Sequence, residues 1–282
     1  MSIQRITKIL IDGGIEPGEA RVEAELLCEH FCGYDAKKTI MGEKMAQCDL
    51  DFVEKKARER VESRRPIQHI IGLADFMGEK FIVNEHTLIP RDETEFLVRE
   101  AVRLITENGL EMAIEIGSGT GCVSCMIAKL AGIQIIGLDI SNETLHVALD
   151  NATKHNLFNR AIFRKSDVYS NVREREKFDI IVSNPPYIPL SEKGKLQKEV
   201  EFEPELALFA PDEDGVEFYK RIIEGAHRLF VKRGFVVFEL GINQAPLVEK
   251  LLQENGFKEI NIIKDLAGIE RVISARLDIS EG

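Results

Sequence analysis

No stretch of the 282-residue chain approaches the ~18 uninterrupted apolar residues of a membrane span. The first twelve residues alternate polar and apolar side chains and show no small-residue cleavage site, so no secretory leader is expected. Cysteine is scarce and odd in number. The five fall at 28, 32, 48, 122 and 125, which argues against a disulfide framework and for reduced thiols in a cytoplasm. An excess of basic charge is also missing, since 37 Lys and Arg stand against 48 Asp and Glu, a net charge of −11. Proteins that live on polyanions usually carry the opposite balance, so no direct nucleic-acid binding is expected. The six histidines never cluster at ligand spacing, and no metal is expected. Internal repeats and low-complexity tracts are lacking too. The remainder is an ordinary composition, 44% apolar and 30% charged, on a chain long enough for about two domains.

Residues 2–12 place Ile3, Ile6, Ile9 and Leu10 on one helical face, and Gly13-Gly14 ends the run. Residues 18–31 repeat the pattern with Ala20, Ala24, Leu27 and Phe31. Asp49 reads as the N-cap of a third helix to Ser63, with Phe52, Val53, Ala57 and Val61 inward. Residues 1–72 therefore read as a small N-terminal all-α domain. Residues 73–90 read as a linker with a β-hairpin, because Gly78 and Pro90 bound alternating runs such as Lys80-Phe81-Ile82-Val83. Residues 91–282 carry apolar strand candidates at 113–116, 134–138, 161–164, 179–183, 235–239, 260–264 and 271–276, with helical stretches between most of them. The class is α/β, with a mostly parallel seven-stranded sheet covered on both faces.

The first of these strands runs into Glu115-Ile116-Gly117-Ser118-Gly119-Thr120-Gly121, and an apolar helix follows from Cys122. Glycines permit a tight turn and let a ligand approach the backbone, and the helix start presents free N–H groups. A dinucleotide loop wants Gly-x-Gly-x-x-Gly, and position 122 is Cys, which weakens a nicotinamide reading. The second strand ends at Leu138-Asp139-Ile140. Asp139 can accept both ribose hydroxyls of an adenosine ligand. Its alternative is to cap the next helix, a job open to Ser141. Asp167 and Val168 follow the third strand, where an adenine would meet the sheet. The strand at 179–183 closes on Asn184-Pro185-Pro186-Tyr187. Two prolines remove two backbone donors and leave a row of acceptors, the Asn184 amide and an aromatic wall. Such a site suits a planar –NH2 group. Cys122-x-x-Cys125 lacks a second pair, and Cys28 and Cys32 lack a paired His, so all four read as buried thiols. The basic run Lys55, Lys56, Arg58, Arg60, Arg64 and Arg65 reads as a solvated helix face, with contact to RNA or a partner as the alternative.

Together the glycine loop, Asp139 and Asn184-Pro185-Pro186-Tyr187 resemble class I S-adenosylmethionine-dependent amino-group methyltransferases. Pro90-Arg91-Asp92-Glu93-Thr94-Glu95 narrows this, because it resembles a segment of the peptide chain release factor N(5)-glutamine methyltransferases. Pro66 to Gly72, Phe76-Met77-Gly78, Glu203 to Leu208, Asp214-Gly215, Glu239-Leu240-Gly241 with Gln244, and Asp265 to Gly268 with Arg271 are similar to that family as well. Asp92 departs from its usual proline. The resemblance runs through nearly the whole length. It implies a Rossmann-like class I methyltransferase domain preceded by a helical substrate-recognition domain. It also implies methyl transfer from S-adenosylmethionine, leaving S-adenosylhomocysteine, to the glutamine of a Gly-Gly-Gln tripeptide in class I release factors. Glu115, Gly117, Ser118, Gly119, Thr120, Gly121, Asp139, Ile140, Asp167, Val168 and Asn184 would hold the cofactor. Asn184, Pro185, Pro186 and Tyr187 would act on the glutamine amide, with Arg91 and Glu93 at its margin. The alternatives are an adenine N6 methyltransferase, which must flip a base and hold phosphates, a methyltransferase of another protein glutamine, a nicotinamide oxidoreductase, and a non-enzymatic cofactor-binding module.

Overall fold

The computed structural model describes residues 2–279, which form two compact units. Met1 and residues 280–282, included in the domain bounds drawn above, lie outside the described residues. One unit holds the chain up to Leu73 together with Gln197–Phe202; the other holds Ala74–Leu196 and the chain from Glu203 onward.

The first unit contains α1 (Ser2–Asp12), α2 (Pro17–Cys32), α3 (Ala36–Ile40), α4 (Gln47–Ser63) and α5 (Ile67–Ile71). Pro17 opens α2, where its missing N–H costs nothing, and the Glu16 carboxylate accepts from the Gly18 and Glu19 amides. Ile6, Leu10, Ala20, Ala24, Leu27, Val53 and Ala57 form the core. Three readings need correction. α4 starts two residues before Asp49, with Ala46 at its cap, so Asp49 lies in the first turn, where an acid suits the helix dipole. Phe52 is 47% exposed and packs edge-on against Phe31, while Leu50 takes the inward place. Arg60 is not on a solvated face. It is fully buried, with Nε 2.9 Å from Glu23 and Nη1 3.0 Å from Glu199.

From Ala74 the second unit opens on a hairpin of β1 (Leu73–Phe76), whose first residue closes the helical unit, and β2 (Glu79–Ile82), as the punctuation predicts. Met77 and Gly78 both sit at positive φ, 51° and 77°, the geometry of a two-residue turn that matches strand twist. Then follow α6 (Thr94–Asn108), β3 (Met112–Ile116), α7 (Cys122–Ala131), β4 (Gln134–Asp139), α8 (Asn142–Lys154), β5 (Ala161–Lys165), β6 (Ile180–Ser183), β7 (Ile188–Pro189), α9 (Glu205–Leu208), β8 (Phe209–Ala210), α10 (Glu217–Ala226), β9 (Arg233–Glu239), α11 (Ala245–Glu254), β10 (Lys258–Lys264) and β11 (Glu270–Asp278). Seven of them form one sheet in the order β10-β11-β9-β6-β3-β4-β5. The β9-β6-β3-β4-β5 pairs are parallel, and β11 runs antiparallel to both its neighbours.

Both sheet faces are dry, which explains strands that read as continuous apolar runs. Ala113, Ile135, Val237 and Val272 face one core with α6 and α7. Their sequence neighbours Ile114, Ile136, Val236 and Ile273 face the other, with α10 and α11. The chain order matters most for function. It starts at β3, winds outward through β4 and β5, then returns to β6 on the other side of β3. The loops after β3 and β6 therefore leave the sheet side by side, the switch point at which open α/β sheets bind ligands.

Candidate active site

The register pairs Ile116 of β3 with Ser183 of β6, so the glycine loop and Asn184 emerge together. Gly117, Gly119 and Gly121 have φ of 74°, 52° and 75°, which only glycine adopts freely. At Gly121 space forbids a side chain too, since a Cβ would lie 2.7 Å from the Phe163 ring. The loop is tied to the next strand, with the Gly117 and Ser118 amides donating to the Leu138 carbonyl at 2.8 and 2.9 Å.

Asp139 ends β4. Its carboxylate accepts from the Gly119 amide at 3.0 Å and from the Ser141 amide at 3.0 Å. The capping of α8 falls to Ser141, whose hydroxyl accepts from the Thr144 amide. Burial raises the Asp139 carboxyl above its ordinary range against those hydrogen bonds. Glu115 is buried as well. It accepts from the amide and hydroxyl of Ser124 in α7, and burial pushes its carboxyl up to about 8. Glu115 thus fastens the start of α7 beneath the loop.

Asp167 accepts from Arg221 of α10 at 2.7 Å. Val168 sits at φ 48°, an outlier for a β-branched residue and a store of about 1–3 kcal/mol of strain. The Ser166 hydroxyl holds it there by donating to the Val168 carbonyl at 2.8 Å.

After β6, the Asn184 Nδ2 donates to the Thr94 hydroxyl of α6 at 3.3 Å, and no donor among the described residues reaches its Oδ1. The turn beyond it is pinned by the buried Gln244. Its Nε2 donates to the carbonyls of Tyr187 and Asp214 at 3.0 Å each, and its Oε1 accepts from the Gly241 amide at 3.0 Å. Gly215 must be glycine here, because a Cβ would lie 2.1 Å from the Tyr187 carbonyl oxygen.

These elements enclose a cavity of about 340 Å³. Glu115, Gly117, Ser118, Gly119, Thr120, Asp139, Ile140, Asp167, Val168, Asn184, Pro185 and Pro186 all line it, and Gly121 lies beneath, packed on Phe163. Tyr187, Arg91 and Glu93 do not line it. Tyr187 is half-buried beside Gly241, with its hydroxyl raised by burial. Arg91 pairs with buried Glu203 at 2.5 Å, and Glu93 pairs with Arg271 at 3.3 Å, which also holds Asp265 at 2.8 Å. Sequence reasoning assigned no role to Thr94, Arg221, Glu239 or Gln244. Thr94, Glu239 and Gln244 fall in segments that carry the family resemblance, without a role attached to them, and Glu239 is also an acid closing the otherwise apolar strand at 235–239.

Cys122 and Cys125 are buried at the start of α7, and burial pushes the Cys122 thiol up to about 12. Cys28 is buried in the helical unit and Cys32 is partly so, while Cys48 is exposed. Among the described residues no helix is long and apolar enough to cross a membrane.

A family profile described as methyltransferase small domain matches residues 93–200. The chain is 35% identical over 268 residues to the release factor glutamine methyltransferase of Chlorobaculum tepidum, covering 91% of this chain and 90% of that one. It is 32% identical to the bifunctional methyltransferase of Rickettsia bellii over 91% of this chain but 51% of that one, so it spans about half the length of such relatives. A solved methyltransferase from Pyrococcus furiosus shares the fold at a TM-score of 0.53 and 17% identity, over 79% of this chain and 98% of that one. The chain belongs to the release factor glutamine methyltransferase family.

Proposed function

We propose that the chain transfers the methyl group of S-adenosylmethionine to the side-chain amide nitrogen of the glutamine in the Gly-Gly-Gln tripeptide of class I release factors. The observation that carries this is the polarity of Asn184. One Nδ2 hydrogen goes to Thr94, no donor among the described residues reaches Oδ1, and the residue lines the cavity.

The cavity residues fit that cofactor. The Ser118 hydroxyl is buried against the cavity without a hydrogen-bond partner among the described residues. The Asp139 oxygens accept the Gly119 and Ser141 amides, and a carboxylate has further lone pairs to offer. Asp139 would take the ribose hydroxyls, and Asp167, Val168 and Ile140 the adenine edge. When bound, S-adenosylmethionine supplies a methyl group on a sulfonium, an electrophile needing no further activation. What the chain must supply is a nucleophile held in line. An amide nitrogen is a poor nucleophile because its lone pair is delocalised into the carbonyl. Asn184 Oδ1 and the Pro185 carbonyl accept its two N–H bonds, fixing its position and favouring positive charge as it develops there. The proton can leave afterwards to water or to a carbonyl.

Asp139→Ala is expected to weaken S-adenosylmethionine binding by about one to two orders of magnitude, the worth of a charge-assisted hydrogen bond. Titration calorimetry checks this, and an unchanged affinity would remove Asp139 from the cofactor site. The helical unit is proposed as the grip on the release factor, since one glutamine side chain offers too few contacts for discrimination. Ile40 and Met41 are 86% and 66% exposed there, next to Lys37 and Lys38. Ile40→Asp with Met41→Asp should lower kcat/KM on intact release factor by about tenfold and leave a short Gly-Gly-Gln peptide unaffected. Equal losses on both would argue for a merely structural role.

The reading as a whole is tested by one incubation with methyl-labelled S-adenosylmethionine and, side by side, release factor, duplex DNA and a ribosomal protein. Label is expected in the release factor. Label confined to DNA would transfer the site to adenine chemistry.

A further inference from the structure

We propose that Glu239, acting through Thr94, forms a positioning pair that fixes which end of the Asn184 carboxamide faces the substrate nitrogen; this rests on the function proposed above. The two ends of a carboxamide are alike in shape and opposite in hydrogen-bonding sense. A substrate –NH2 needs the oxygen. Thr94 alone cannot enforce that choice, because a hydroxyl has one proton and two lone pairs and satisfies either end.

Glu239 makes the choice. It closes β9 beside the end of β6, is 2% exposed, and the Thr94 hydroxyl holds its carboxyl down against the effect of burial. As a carboxylate it can only accept, so it takes the one Thr94 proton. Thr94 then offers Asn184 lone pairs alone, and the amide must present Nδ2 to it and Oδ1 to the cavity. A protonated Glu239 would donate to Thr94 instead. The Thr94 proton would be released, and both amide orientations would become acceptable.

Structural needs do not account for an acid here. Glu239 makes no ion pair among the described residues, and its Oε2 is buried without a partner. A buried acid so placed costs stability unless it acts on something. The titratable and charged groups facing it are Glu93 and Arg91 before α6, Arg271 on β11, Tyr187 after β6, Tyr219 on α10 and Cys122 on α7. Burial outweighs the two guanidinium groups and sets the Glu239 carboxyl at about 7. The orientation therefore sharpens as pH rises through neutrality. Glu239 does not line the cavity and acts only through Thr94, which does.

The test uses the full ¹⁵N-labelled chain without cofactor. The Asn184 side-chain amide signal, identified by its loss in Asn184→Ala, is followed from about pH 5.5 to about pH 8.5. It should titrate with a midpoint near the Glu239 value of about 7. Glu239→Gln and Thr94→Val should abolish that titration while the rest of the spectrum remains folded, and Thr94→Ser should keep it. On release factor, Thr94→Val should lower kcat on the order of 10–100-fold with KM nearly constant, and Thr94→Ser should recover to within a few-fold. An Asn184 signal that does not titrate, or that titrates equally in Glu239→Gln, overturns the proposal. So does full turnover in Thr94→Val. A parent chain that methylates no release factor would overturn the functional reading instead, and the spectroscopic arm would still decide this one.

Discussion

Asn184→Ala is expected to lower turnover on release factor by about 100–1000-fold, the scale of losing one preorganised transition-state contact. The contact strengthens as the reaction proceeds. In the ground state Oδ1 accepts from a neutral amide; in the transition state it accepts from a nitrogen gaining positive charge. Alanine also leaves the Thr94 oxygen without its Asn184 donor, and a water would take that place. S-Adenosylmethionine affinity should change far less, because the glycine loop and Asp139 belong to a different stretch of chain. Single-turnover kinetics with calorimetry on the same preparation separates the two effects. Turnover within a few-fold of the parent would show that the amide clamp is not the mechanism.

Arg60→Ala is expected to destabilise the helical unit by about 3–5 kcal/mol, the usual cost of removing one partner from a buried ion pair. The Arg60 side chain is 1% exposed and that of Glu23 is 4% exposed, and both Glu23 oxygens lie within hydrogen-bond distance of Nε, at 2.9 and 3.1 Å. Without the guanidinium the Glu23 carboxyl is left in an apolar core and must take up a proton or draw in water. Glu199 loses a partner in the same step, which loosens Gln197–Phe202 from the unit it belongs to. In a unit of this size the melting temperature should fall by more than about 10 °C. The double variant Arg60→Met with Glu23→Leu should recover most of the loss, because apolar replacement of both partners removes the stranded charge. A single variant within about 1 kcal/mol of the parent would mean that the cluster is solvated.

Most of what the sequence shows about the site lies in residues whose type is dictated by local backbone. Gly117, Gly119 and Gly121 stand out because a strand-to-helix turn at positive φ admits little else. Asn184 stands out because two prolines follow it. Asp139 is readable as a ligand group with one competing role, the cap of α8, and the Ser141 hydroxyl takes that cap. What stayed hidden depends on sheet order. Thr94, Asn184 and Glu239 come from α6, the end of β6 and the end of β9, and the β9-β6 pairing with the packing of α6 on the sheet brings them together. Gln244 is hidden for the same reason, since its bonds reach residues 57 and 30 positions away. Arg60 was misread because spacing reports a side chain's helix face but not what packs on it, and one partner, Glu199, lies 139 positions on. Phe52 differs from its reading because an apolar stripe is wider than the core it covers, and at its edge Leu50, which the spacing does not single out, is the residue buried.

The central claim is that the methyl group goes to a glutamine amide presented to Asn184. The most direct measurement is tandem mass spectrometry of a class I release factor after incubation with the purified chain and S-adenosylmethionine. The expected result is a single methyl group on the side chain of the Gly-Gly-Gln glutamine, absent when Asn184→Ala is used over the same time. Methylation at any other residue, or equal methylation by Asn184→Ala, would contradict the account.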